Sequence, residues 1–164
     1  MRTKNTNMNE DILNELLAQE DELQLHYFNN HMAWELGNLL KAAADNTAAP
    51  IAIEIYAFEH VLFSYFMPGT NKDNHDWIKR KRQSVMRFSH SSYYQGQYNA
   101  LKNRNFEAIP HLDPKEYCAH GGAFPIRLKN SGLIGAVTVS GLAQEIDHQM
   151  AIDAMRIIVA EQKR

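Results

Sequence analysis

Residues 77–96, WIKRKRQSVMRFSHSSYYQG, put five basic side chains into eleven positions and then a histidine among hydroxyls. Guanidinium and hydroxyl groups at this density suit recognition of a carboxylate or phosphate, because both supply several hydrogen-bond donors. On a helix over residues 76–90, Arg80, Ser84, Arg87 and Ser91 share one face at spacings of four, three and four. Ile78, Val85 and Phe88 then point toward a core, yet the positions four beyond Trp77 and Ile78 are Lys81 and Arg82, so charge interrupts the apolar stripe. Three uses of the stretch stay open: an anion grip, a subunit contact or a solvated helix face. Nucleic acid is not expected as a partner. A polyanion needs an extended basic surface, whereas Asp73 and Asp76 flank this one and Tyr93 and Tyr94 lie beyond it.

The segment CAHGGAFPI, residues 118–126, is the second chemical feature. Gly121 and Gly122 permit positive φ or the close approach of another backbone, and Pro125 cannot donate to a strand ladder, which implies an edge or irregular strand. Such a turn either presents amide N–H groups to a ligand or is an ordinary bulge. Arg80, Arg87, His90, Ser91, His120, Gly121 and Gly122 are the candidate ligand-binding residues, around a small anionic molecule between the basic helix and the HGG segment. Arg87, between Met86 and Phe88, is expected to be fixed by Glu54, a neighbouring subunit's carboxylate or the ligand, and Lys79 to stay hydrated.

No reaction signature accompanies these residues. HExxH, CxxC, GxSxG, GxGxxG and P-loop patterns are all missing. None of the eight histidines forms an HxH or i, i+4 pair, so no metal site is assigned and the catalytic residues stay unknown. Glu54 sits on the face of a strand opposite Ile53 and Ile55, where a covering helix would oblige it to find a cationic or hydrogen-bonding partner; Arg80, Arg82 and Arg87 are the candidates. Asp147, in the first turns of the last helix, is expected to act on the helix dipole alone.

The elements that must hold these groups follow from periodicity. Met8 to Asp45 reads as two helices, with stripes Ile12, Leu13, Leu16, Leu17 and Met32, Leu36, Leu39, Leu40, and with Asn29 or Asn30 as a cap between them. IAIEIYAF and HVLFSYF alternate with period two and pair as a hairpin around Glu59. A long helix starts near Asp73 and breaks near Ser91 or Gly96. EYCAHGGAFPIRL and LIGAVTVS are strands joined by KNSG, followed by a helix carrying Leu142, Ile146, Met150, Ala154 and Ile157. No repeat or linker divides the 164 residues, which read as one α+β domain with a helical N-terminal portion over 1–45. A formal charge of −2 gives no long-range positive field, no run is apolar enough to span a bilayer, and a single cysteine fits a reducing compartment, so a cytosolic protein without membrane contact is expected.

GGAFPI, SGLIGAVTVSG, Asp147 and Ala151 together resemble the signature of the HbpS-like superfamily, named the haem-degrading domain. WIKRKRQSVMRFSHSSYYQG, EYCAHGGA and SGLAQEIDHQMA resemble a more specific signature, that of an uncharacterised UPF-type branch. The resemblance covers Pro50 to the last helix and implies a profilin-like three-layer α/β/α fold with a central antiparallel sheet, and homo-oligomers. His90, His120 and His148 are the histidines within these motifs, and they would converge if they served one ligand. Relatives include haem-binding proteins, but the sequence departs from them throughout the basic helix, so haem is not favoured as a cofactor and haem degradation is not transferred. A binding protein, an oligomeric interaction protein without a metabolite site and an enzyme acting on a tetrapyrrole or small acid remain open.

Overall fold

Short polar side chains decide where the helices begin. The computed structural model describes residues 2–163, and in it α1 (Arg2–Glu22) is followed by α2 (Asn30–Asp45), whose first turn is held by Asn29 Oδ1 accepting from Met32 N at 2.9 Å. Asn71 caps α3 (Lys72–Phe88) in a reciprocal box with Asn74, and Ser91 caps α4 (Ser92–Leu101). The last helix, α5 (Gln144–Gln162), follows Ala143 with no side-chain cap.

Strands β1 (Ala52–Ala57) and β2 (His60–Phe66) form the expected hairpin, and its two turn residues, Phe58 and Glu59, both take positive φ. With β3 (Ala123–Leu128) and β4 (Gly132–Ser140) they make an antiparallel sheet in the order β2-β1-β4-β3. Pro125 therefore lies on an edge strand. That edge is partly covered by the chain after α1, since Leu25 N donates to Arg127 O and Lys129 N to Leu25 O, each at 2.8 Å.

The two faces of the sheet differ in chemistry. Ile53, Ile55, Phe124, Ile126, Val137 and Val139 bury one face under α2 and α5, against Met32, Leu36, Leu40, Ile152, Met155 and Ile158. Each such side chain contributes roughly 1.5–3 kcal/mol by leaving water. The opposite face carries Glu54, Thr138 and small alanines under α3, whose buried stripe is Ile78, Lys81 and Val85. α4 packs on α3 and α5, and α1 lies on α4 through the stripe Leu13, Leu16 and Glu20. This is a three-layer α/β/α arrangement on a profilin-like sheet, and none of the described helices is long and apolar enough to cross a membrane.

Two local expectations need correction. β3 starts at Ala123 rather than near Glu116, because residues 116–122 bend around α3, where the Ser84 hydroxyl donates to Cys118 O at 2.7 Å and accepts from Cys118 N at 3.2 Å. The basic helix ends at Phe88, with Ser89 in the left-handed region at φ 61, so Ser91 opens a new helix and does not share a face with Arg80, Ser84 and Arg87.

The α2–sheet contact is close enough to reverse a propensity argument. Alanine in place of a mid-helix glycine ordinarily stabilises by about 1 kcal/mol, but a Cβ on Gly37 would sit 2.4 Å from the Phe63 ring. Gly37→Ala is expected to lower the urea midpoint by an equivalent of about 1–2 kcal/mol, since the ring must leave its position. A raised midpoint would show that the packing is looser than this.

Candidate functional site

Asp73, Trp77 and Lys81 recur every four residues, which places them on one side of α3. With Ser140, Gly141 and Leu142 after β4, Gln144 and Asp147 at the start of α5, and His120, they border a cavity of about 260 Å³. Lys81 is 3% exposed. Its Nζ donates to Val139 O at 3.1 Å and to Asp147 Oδ2 at 3.2 Å. Asp147 also accepts from Gly141 N at 3.3 Å and from Leu142 N at 3.0 Å, so its carboxylate gathers the chain end of β4, the start of α5 and a lysine from the opposite layer. The expected dipole role of Asp147 is thus incomplete: at 1% exposure its carboxylate needs, and has, a cation and two amides.

The HGG glycines make this pair sterically feasible. A Cβ on Gly122, which has φ +139, would meet Val139 O at 2.2 Å and Lys81 Nζ at 2.7 Å, and one on Gly121 would meet Gln144 O at 2.4 Å. Close backbone approach, rather than amide presentation, accounts for both glycines.

Burial pushes the Lys81 ammonium below its ordinary pKa, with the Asp147 charge opposing, and pushes the Asp147 carboxyl up, with Lys81 and the two amides opposing. At the mouth, desolvation lowers His120, Lys81 and Arg80 add to that lowering, and Glu107 opposes it. The imidazole is therefore neutral near pH 7. Trp77 meets His120 edge-on at 5.0 Å, and Arg80 lies 4.2 Å over the same indole while donating to Pro114 O at 3.3 Å.

The candidate ligand-binding residues separate into three places. His120 and Gly122 lie beside Lys81, with Gly121 against Gln144 and Arg80 over Trp77. His90 and Ser91 lie beyond the C-terminal end of α3, where Glu20 accepts from Ser91 N at 2.9 Å and pairs with His90 Nδ1 at 2.9 Å. Arg87 is exposed over the Tyr117 ring at 5.0 Å. Glu54 takes Arg82 instead, 3.2 Å away without hydrogen-bond alignment, and burial raises its pKa against the Arg82 charge. Lys79 is not free on the wet face but paired with Glu116 at 3.0 Å. His148 is buried on α5, its Nε2 against Gln19 Oε1 at 3.0 Å, and desolvation lowers its pKa to about 4, so the three motif histidines do not meet.

Lys81, Asp147, Trp77 and Gln144 are the site residues that the sequence did not nominate. The signal for Lys81 was its place at i+3 from Ile78 and i−4 from Val85, inside the apolar stripe rather than across it. Among the described residues no three or more His, Cys, Asp and Glu side chains gather as a metal site.

Removing one member strands the other charge in a dry place, so Lys81→Met and Asp147→Asn should each cost about 3 kcal/mol in urea unfolding. The double variant should fall short of the summed costs by at least about 1 kcal/mol, because the two charges are one unit. Additive costs would mean that the pair carries no coupling.

Comparison with known proteins gives a consistent result. A model of the family described as haem degrading protein HbpS-like matches residues 28–156. A UPF0303 protein of Psychromonas ingrahamii is 59% identical over 93% of this chain and 96% of its own. The crystal structure of Ybr137w superimposes with a TM-score of 0.85 at 34% identity, over 93% of this chain and 90% of that one. The PduOC:heme complex shares the fold alone, with a TM-score of 0.67 at 15% identity, over 79% of this chain and 93% of the other. A match across most of the chain and identities of this size mean that the chain belongs to the HbpS-like family, among its UPF0303 proteins.

Proposed function

We propose that this is a cytosolic, self-associating protein that binds a small anionic molecule in the cavity between α3, the HGG turn and the start of α5. The observation that carries this reading is the third N–H of Lys81: an ammonium has three donors, Val139 and Asp147 accept two, and the residue borders the cavity. The uncapped start of α5 adds the positive end of a helix dipole to the same space, where Gln144 lies. His120 supplies a ring nitrogen at the mouth. At about 260 Å³ the space suits a compact carboxylate or phosphate rather than a cofactor.

Haem, which the family description suggests, does not fit these residues. Asp73, Asp147 and Lys81 give the cavity a polar lining where a macrocycle needs an apolar slot, and His90 and His148 are engaged by Glu20 and Gln19.

Binding should be linked to protons through His120. Its pKa is depressed in the free protein by desolvation and by Lys81, so an anion at the mouth raises it and draws in a proton. Affinity for oxalate, measured by calorimetry, should therefore rise as pH falls from about 7.5 to about 6, by at most tenfold per pH unit. His120→Gln should remove that dependence and weaken binding several-fold without changing the melting temperature. Pure competition by sulfate at every pH with no change in the variant would place the anion elsewhere, and no saturable oxalate or sulfate binding would end the proposal.

Self-association rests on a separate observation. Trp34 is 61% exposed, Phe58 47% and Val61 44%, and Val61 belongs to β2, whose outer edge has no partner strand within the sheet. Sedimentation equilibrium should give a mass above the 18.8 kDa of one chain, and Val61→Lys should shift it toward that value. A wild-type monomer would remove this half of the proposal and leave the anion site standing.

A further inference from the structure

The C-terminal end of α4 builds a second hollow, of different chemistry. Asn103 takes the left-handed conformation at φ 53, its N–H reaching Ala100 O at 3.1 Å while Arg104 N reaches Asn99 O at 2.9 Å, a closure that folds Arg104 back beside Asn99. Tyr94 and Tyr98, one turn apart, hold their rings 5.8 Å apart and within 17° of parallel, and His90 stands 4.5 Å from Tyr94. Phe88 meets Phe106 edge-on at 5.9 Å. These side chains and Asn99 border a cavity of about 390 Å³.

Asn99 is the informative member. It is 4% exposed, and its Nδ2 donates to Gln95 O at 2.8 Å, which fixes the amide so that Oδ1 is the remaining end. Among the described residues that buried oxygen has no hydrogen-bond partner. A buried acceptor left unmade is costly, and a donor on a ligand would relieve it. The surrounding rings favour a flat π system, and Arg104, which borders the hollow, lies 5.3 Å over Tyr98.

We infer that this hollow binds a planar heteroaromatic molecule whose ring N–H donates to Asn99 Oδ1, whose face stacks on the Tyr94–Tyr98 wall and whose acidic substituent meets Arg104. The site is separate from the anion cavity and does not depend on it. Lys81 and His120 take no part.

Pterin-6-carboxylate has all three features and serves as the probe, followed by calorimetry. Pterin lacks the acid, and quinoline-2-carboxylate lacks the N–H. Pterin-6-carboxylate should bind saturably at one per chain, pterin more weakly and quinoline-2-carboxylate weakest. Tyr98→Leu and Asn99→Ala should each weaken pterin-6-carboxylate by roughly tenfold, the scale of one stacked ring or one buried hydrogen bond. Arg104→Gln, at an exposed position, keeps the test sound if Asn99→Ala fails to fold: it should weaken pterin-6-carboxylate several-fold and leave pterin unchanged. His120→Gln should change neither. Absence of saturable pterin binding by the folded protein, or binding indifferent to Tyr98→Leu and Arg104→Gln, would overturn the assignment, as would displacement of pterin-6-carboxylate by oxalate.

Discussion

The buried contact between Lys81 and Asp147 is the constraint around which the polar half of this protein is arranged. It joins helices that cover opposite faces of the sheet, passing the end of β4, where Val139 O takes one of the lysine protons. Two unit charges at such burial are expensive to desolvate, and they persist because most of their hydrogen-bonding capacity is met: three donors reach the carboxylate, and two acceptors meet the ammonium. Everything near the contact is shaped to admit it. Gly122 leaves room for the ammonium, and Gly141, at φ +148, lets the chain turn toward α5, where a Cβ would meet Pro50 O at 2.5 Å.

The chemistry is concentrated on one side of the sheet because the two sides solve different problems. Under α2 and α5 the strands present branched and aromatic side chains that pack into one apolar core. Under α3 they present alanines, Thr138 and Glu54, and the helix fills the gap with long cationic stems from Lys81 and Arg82. Long polar side chains fill space incompletely. The cavity beside Lys81 lies on this side, and Glu54 Oε1 and Thr138 Oγ1, cross-strand neighbours without hydrogen-bond partners among the described residues, mark the same loose polar packing.

Local patterns were legible where a single physical cause acts. Asn29 as a cap, the hairpin at Glu59, the edge position of Pro125 and a cation for Glu54 follow from backbone donors, turn geometry or charge burial alone, and the family motifs add the three-layer sheet. The candidate site was legible only in part, because it is assembled from distant segments. HGG was read as permitting positive φ or close approach, and the structure supplies the neighbours, Lys81, Val139 and Gln144, which no local pattern names. Arg80, Arg87 and Ser91 were grouped by assuming one continuous helix. Ser89, at φ 61 without being glycine, breaks it, and a serine in the left-handed region has weak sequence signal. Lys81 was misread for a physical reason as well, since a lysine inside an apolar stripe looks like an interruption until its acceptor on another element is known.

One stretch of chain beside the Lys81 cavity, Ala119–Gly122, is held by close backbone packing on several sides. A Cβ on Gly96 of α4 would lie 2.4 Å from Ala119 O, one on Gly121 2.4 Å from Gln144 O and one on Gly122 2.2 Å from Val139 O. The stretch is thus in backbone contact with α4, α5 and β4 in turn, and Gly121 N donates to Gln144 Oε1 at 3.0 Å. A segment pressed against three elements without an intervening side chain has no direction in which to yield. The glycines are therefore required by the packing itself.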